Sequence, residues 1–279
     1  MGWLKSKRWV KDWLPPAVLA LYRRWRKEDV SYEWVSYDGN YSSWQDALAN
    51  STGYDSDLIL EKVSTALLKV KSGEAVYERD SVLFDRIEYP FPLLAGLFRV
   101  AASNEGKLTV LDFGGSLGST YFQCRDFLSA IPKLAWGIVE QEIFVRRGRE
   151  LFETDQLQFF FSIQECMGIM QPNVVLFSSV LQYIQTPFEL LKAAMDTEVQ
   201  YIIIDRTPFS NSDKDELCVQ HVSPQIYPAS YPCWIFSEPR FRQFLLKQFE
   251  LIADFDGADG CAHVGELPFC FKGMIWERR

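Results

Sequence analysis

Val110-Leu111-Asp112-Phe113-Gly114-Gly115-Ser116-Leu117-Gly118 is the stretch that decides how this chain folds. An apolar run from Leu108 to Leu111 ends in an acid and then a glycine-rich turn. A buried parallel strand reads this way when it delivers its end to a ligand. Small residues let the backbone approach a bound molecule closely. The helix expected from Thr120 to about Ile131 offers free N–H groups at its start. Chemistry is therefore expected at the carboxyl end of this strand, where open α/β sheets bind their ligands.

The pattern outward from this stretch alternates. Strand 108–112 is followed by helix 120–131, strand 135–140, helix 143–153, strands 157–161 and 173–178, helix 187–196 and strand 200–205. Helix 238–248 and strands 249–255 and 269–276 complete it, the last two joined by a loop from Asp256 to Pro268. Near-continuous apolar strands such as Val174–Phe177 and Tyr201–Ile204 imply an α/β fold. It is a doubly wound, Rossmann-like, mostly parallel sheet of seven strands with an antiparallel C-terminal hairpin. Upstream, residues 31–57 read as loop, 58–72 as an amphipathic helix and 92–102 as a helix, so the N-terminal extension is largely helical. The expected division is a basic, Trp-rich segment 1–30, an extension 31–104 capping the site, and a main domain 105–279.

A glycine turn alone is weak evidence, but partners follow at fitting intervals. The next strand ends in Glu140-Gln141, and an ionised carboxylate there can accept both hydroxyls of a ribose. Later strands end in Ser178-Ser179 and Asp205-Arg206, on the same edge of the sheet. A dinucleotide favours G-x-G-x-x-G and a helix N-terminus for its pyrophosphate, which the G-G-S-L-G turn fits poorly. S-adenosylmethionine has no phosphate and carries a sulfonium. Asp112, two positions before the glycines, suits that positive charge.

Asp112 to Gly118 resembles the first motif of the class I S-adenosylmethionine-dependent methyltransferases, D/E-x-G-x-G-x-G. Glu140 resembles the acid ending their second strand, and Ser179-Val180-Leu181-Gln182-Tyr183 their segment after strand four. The final hairpin is similar to their antiparallel seventh strand. The resemblance covers about residues 105–279. It implies S-adenosylmethionine as cofactor, held by Asp112, Gly114, Gly115, Ser116, Gly118, Glu140, Gln141, Ser178 and Ser179. The chain departs from the motif at Ser116, where a glycine is usual; serine prefers φ < 0, so a left-handed position would strain it. Tyr77–Phe84, Ile204–Phe209 and Ile226–Pro232, with the motifs above, further resemble a bacterial methyltransferase family whose members are encoded among genes for surface polysaccharide synthesis. That likeness implies O-methylation of a sugar or a polysaccharide precursor.

A base is needed only if an acceptor hydroxyl must lose its proton. The candidates are His221, otherwise a partly exposed loop residue, and Asp205, otherwise paired with Arg206. His263 reads as structural, in the hairpin loop. Tyr77, Arg79 and Arg206 are candidates to hold the acceptor. Tyr77–Asp80 would cap the crevice or else form a salt-bridged helix start. Tyr227 and Tyr231, beside Trp234, would meet a sugar face or else pack an irregular loop. No convincing carboxylate cluster for a metal is visible.

The net charge of −8 argues against nucleic acid as a partner and leaves a small-molecule or glycan acceptor. Residues 1–27 carry eight cations against the single Asp12, a net +7, leaving −15 on the remainder. With Trp3, Trp9, Trp13 and Trp25 interleaved, this segment either packs on the domain or attaches to an anionic membrane surface. Leu14–Tyr22 is too short to span a bilayer. The six cysteines form no C-x-x-C pair and read as reduced thiols of a cytoplasmic protein, or one peripheral at the inner membrane face. Other readings are an NAD(P)-dependent sugar oxidoreductase or epimerase, which would lack its Y-x-x-x-K, and a non-catalytic scaffold docked to a membrane.

Overall fold

The computed structural model describes residues 35–53, 56–79, 81–223 and 229–279. Expectations for residues 1–30, Asp80 and Tyr227 lie outside the described residues.

Residues 31–57, read as loop from their composition, contain strand β1 (Val35–Asp38) and helix α1 (Trp44–Ala49). Ser43 caps α1, its Oγ accepting the Asp46 N–H at 3.1 Å. Helix α2 (Ser56–Ser72) buries Ile59, Val63, Leu67 and Val70 at helical spacing. Tyr77–Phe84 is not a helix start. It is a hairpin of β2 (Tyr77–Arg79) and β3 (Val82–Phe84), with Tyr77 and Phe84 stacked at 5.5 Å. Helix α3 (Phe91–Ser103) follows.

Strand–helix alternation then runs through β4 (Lys107–Phe113), α4 (Ser119–Leu128), β5 (Lys133–Val139), α5 (Glu142–Leu151), β6 (Leu157–Phe160), α6 (Ile163–Met170), β7 (Val174–Ser178), α7 (Pro187–Met195) and β8 (Tyr201–Ser210). The apolar pattern hides α6, but a capping box announces it. Ser162 Oγ accepts the Glu165 N–H at 3.1 Å, and Glu165 reaches back to the Phe161 N–H at 2.8 Å. Strands β9 (Glu216–Val222) and β10 (Ala229–Ser237) stand where Pro228 and Pro232 suggest a loop, and helix α8 (Glu238–Leu245) succeeds them. The final hairpin, β11 (Phe249–Val264) and β12 (Leu267–Arg278), turns through only Gly265 and Glu266. The loop expected over 256–268 is therefore mostly strand.

Strands β6, β5, β4, β7 and β8 are parallel neighbours in that order. On the far side of β8 lies antiparallel β12, and β11 forms the edge beyond it. This is the seven-stranded Rossmann-like sheet with its C-terminal hairpin. Three more strands join it, ten in all: β10 pairs with the end of β8 at Phe236–Phe209 and Ser237–Ser210, and carries antiparallel β9 and β1. Pro232 of β10 faces Val219 of β9 and has no partner in β8, so the missing N–H costs nothing in a ladder to β8.

Alternate side chains of the parallel strands fill two cores. One holds Val110, Trp136, Ile138 and Ile203 under α2, α3, α4 and α5. The other holds Leu111, Val175, Phe177, Ile202 and Ile204 under α6, α7 and α8. Each strand is buried on both faces, which explains its near-continuous apolar sequence.

Two irregularities shape the C-terminal edge. Between the pairs Ile204–Met274 and Thr207–Lys272, Asp205 and Arg206 face the single residue Gly273. That is a β-bulge, a device that re-aims side chains. Cys261 and Cys270 are partners across β11 and β12 and form a disulfide. This corrects the reading of all six cysteines as reduced thiols: the loop reading concealed that these two face each other. Cys124, Cys166, Cys218 and Cys233 are free and buried. Among the described residues no helix is long and apolar enough to cross a membrane.

Candidate functional site

Asp112, at the end of β4, is 1% exposed and lies beneath the glycine turn. Trp136 on the neighbouring strand donates its Nε1–H to Asp112 Oδ2 at 3.1 Å. Gly115 passes so close that a Cβ there would sit 2.5 Å from the same oxygen. Burial pushes the Asp112 carboxyl up to about 7, and the negative charge of Glu140 adds to it; the Trp136 hydrogen bond opposes.

Glu140, just past β5, accepts the Gln141 N–H at 2.7 Å and the backbone N–H of Ser116. Burial raises its carboxyl as well. Two carboxylates thus flank one turn, both disfavoured as anions by desolvation. A ligand bearing positive charge would relieve that penalty.

Ser116 stands at φ 54°, in the left-handed region its missing glycine would have favoured. Ser179 after β7 (φ 54°) and Arg206 in β8 (φ 47°) share that conformation. Of the six non-glycine residues at positive φ among the described residues, these three stand at the carboxyl ends of β4 and β7 and in β8, beside the crevice.

Across the crevice, Ser178 Oγ donates to Asp205 Oδ2 at 2.9 Å and the Ser179 N–H to the Asp205 carbonyl at 3.0 Å. Burial raises the Asp205 carboxyl, while the Arg206 guanidinium, Nε 3.9 Å from Oδ2, and the Ser178 hydrogen bond lower it. These strand ends open into a cavity of about 250 Å³. Its walls are the strand ends Ser178, Asp205 and Arg206, the start of α4 (Ser119, Thr120, Gln123), Tyr77 and Arg79 of the β2–β3 hairpin, Glu88–Pro90 with Pro92 and Leu93, and Phe255–Ala258 of β11. Glu78, 1% exposed, accepts the Ser119 hydroxyl and the Ser81 N–H. The hairpin is thereby fastened to the helix that begins at the glycine turn.

The structure thus gathers Tyr77, Arg79, Ser178, Asp205 and Arg206 around one cavity. Asp112, Gly114, Gly115, Ser116, Gly118, Ser179, Glu140 and Gln141 lie at the adjoining strand ends and turn. His221 is not brought there. It sits on β9 with Nε2 3.2 Å from Asp38 Oδ2, because residues taken for loop form a side sheet. Tyr231 also lies in that sheet, accepting from Gln220 Nε2 at 3.3 Å and meeting Tyr183 edge-on at 5.2 Å. His263 is a strand residue opposite Pro268.

Sequence reasoning missed Trp136, Ser119, Thr120 and Gln123, Glu88 and Tyr89, and Phe255–Ala258. The Ser-Thr pair following Gly118 at a helix start was a usable signal. The β11 segment gave none, since its position depends on pairing across the hairpin.

No family model and no curated protein matches the chain. Among solved structures it is similar to the N-terminal domain of EvdMO1 in the presence of SAH and D-fucose, at 16% identity over 73% of this chain and 90% of that one, TM-score 0.45. It is also similar to the glycopeptide N-methyltransferase MtfA complexed with sinefungin (12%, 65% and 92%, TM-score 0.43). A third is the magnesium protoporphyrin IX methyltransferase ChlM from Synechocystis PCC 6803 with bound SAM (11%, 66% and 77%, TM-score 0.40). Likeness this distant decides nothing about function, which has to rest on the chain's own site.

Proposed function

We propose that this protein is an S-adenosylmethionine-dependent methyltransferase that methylates an oxygen of a sugar or polysaccharide-precursor acceptor. The observation that carries the reading is the pair of carboxylates, buried Asp112 and half-buried Glu140, flanking a glycine turn without dinucleotide spacing. The turn's close approach to Asp112 at Gly115 makes a cradle that fits the cofactor. Asp112, Gly114–Gly118, Glu140, Gln141, Ser178 and Ser179 would hold it. When bound, S-adenosylmethionine supplies a methyl group on a sulfonium leaving group.

The chain's own residues do the rest. Tyr77, Arg79 and Arg206 position the acceptor within the cavity, and the extension closes it on one side through the β2–β3 hairpin and Glu88–Pro90. Asp205, kept above the ordinary carboxyl range by burial, takes the proton of the acceptor hydroxyl. Walls of tyrosine, proline and phenylalanine exclude water and align the reactants, which supplies much of the rate in a displacement at an activated methyl. The sugar acceptor and the place in surface-polysaccharide synthesis rest on the family resemblance, and a peripheral location at the inner membrane face on the cations and tryptophans of residues 1–27.

Calorimetric titration with S-adenosylhomocysteine (SAH) tests the cofactor. Binding is expected and should be lost in Asp112→Ala; no binding at millimolar SAH would refute the reading.

A further inference from the structure

The Cys261–Cys270 bond stands one pair beyond an unusual break in the β11–β12 ladder. Asp256 pairs with Lys272 and Cys261 with Cys270. Four residues of β11, Gly257 to Gly260, therefore face the single residue Phe271. The excess chain is pushed out of the ladder, and Gly257 packs so tightly that a Cβ would sit 2.9 Å from the Phe271 carbonyl oxygen. This distended segment and its approach, Phe255 to Ala258, form one wall of the cavity.

The two flanks of the bulge are held differently. Below it, Arg242 pairs with Asp254 and Glu238, and Lys272 with Glu238 at 2.6 Å. Strand β12 is itself anchored to β8 through Cys270–Phe209, Phe271–Pro208 and Lys272–Thr207. Above it, β11 pairs with β12 from Cys261–Cys270 to Val264–Leu267, and the disulfide is the covalent tie at the start of that ladder. Cys261 is solvent-exposed, whereas all four free cysteines are buried. The couple that a soluble thiol reaches is the one beside the cavity wall.

We propose that Cys261–Cys270 is a reversible thiol–disulfide site whose oxidation state sets the order of the cavity wall at residues 255–258. A dithiol reductant is the co-reactant. Its thiolate attacks Cys261 Sγ and releases the Cys270 thiolate; its second thiol then resolves the mixed disulfide. Two electrons and two protons pass to the protein, and the reductant leaves as a disulfide. In a reducing compartment such a bond is a sensor rather than a permanent staple. That the wall borders an acceptor rests on the proposed methyl transfer; the clamp itself does not.

The test is amide hydrogen exchange on the full chain, oxidised with glutathione disulfide and then reduced with dithiothreitol, with SAH titrated in both states. Reduction is expected to speed exchange at residues 255–260 at least tenfold, leaving β8 amides and SAH affinity within twofold. Reoxidation should reverse it, and Cys261→Ser/Cys270→Ser should match the reduced protein in either reagent. Equal exchange in both states, or six free thiols in the denatured protein after oxidation, would overturn the proposal. If SAH binds in neither state the methyltransferase reading fails, while the exchange data still judge the clamp.

Discussion

Asp112→Asn keeps the shape of the side chain and removes its charge. Trp136 keeps an acceptor, the amide oxygen. In the folded chain the carboxyl is raised from 3.8 to about 7, so the native state holds a proton that the unfolded chain releases near pH 4. A raised carboxyl favours folding below its unfolded value, and this contribution is lost as pH climbs towards 7. At ~1.36 kcal/mol per pH unit, the full loss is about 4 kcal/mol above pH 7. Asparagine escapes it. The variant should therefore be close to neutral near pH 4 and more stable than the parent by about 2–4 kcal/mol at pH 8. Urea unfolding at the two pH values measures this directly. An equal difference at both would refute the account of Asp112 as a desolvated carboxyl. SAH affinity should fall at least about tenfold in the same protein, so that stability rises as function is lost.

Gly115→Ala forces a methyl to within 2.5 Å of Asp112 Oδ2. It should cost about 1–3 kcal/mol and abolish SAH binding, and an unchanged melting temperature would contradict the close approach. Ser116→Gly relieves a left-handed serine worth ~1–2 kcal/mol, partly offset by the ~0.5–1 kcal/mol of extra freedom in the unfolded chain. A small gain in chemical-denaturation midpoint with SAH affinity retained is expected; a tenfold loss of affinity would show that the hydroxyl touches the ligand. Asp205→Asn should slow transfer of labelled methyl to a polysaccharide acceptor by about 100-fold or more while SAH affinity holds, and unimpaired transfer would remove Asp205 as base.

The parallel half of the fold was legible because burial on both faces writes itself as unbroken apolar runs such as Val174–Phe177 and Tyr201–Ile204. The glycine turn and its two acids were legible because strand ends carry abrupt changes of residue type. The side sheet was not. Pro232 reads as a breaker, and only the pairing map shows that β8 is no partner there. His221 was misplaced for the same reason, since its neighbour Asp38 is 183 positions away. The Asp205–Arg206 bulge and the Phe255–Ala258 wall were equally hidden. Both come from register across strands, which no local pattern encodes. Trp136 is an intermediate case: an indole in an otherwise small and aliphatic strand asks for a hydrogen-bond partner, but the sequence does not say which.

Strand β8 belongs to two structures at once. Its first half, Tyr201 to Asp205, is laid against β7, and its last residues, Phe209 and Ser210, are laid against β10. Between them the backbone kinks at Arg206. Changes confined to β9, from Glu216 to Val222, would therefore alter the lateral sheet without touching the pairing of β8 with β7. The strand works as a graft union, with a stable rootstock below the kink and an exchangeable scion above it. Such a joint keeps the lateral sheet, none of whose described residues from 211 to 237 lines the cavity, apart from the strand ends that do.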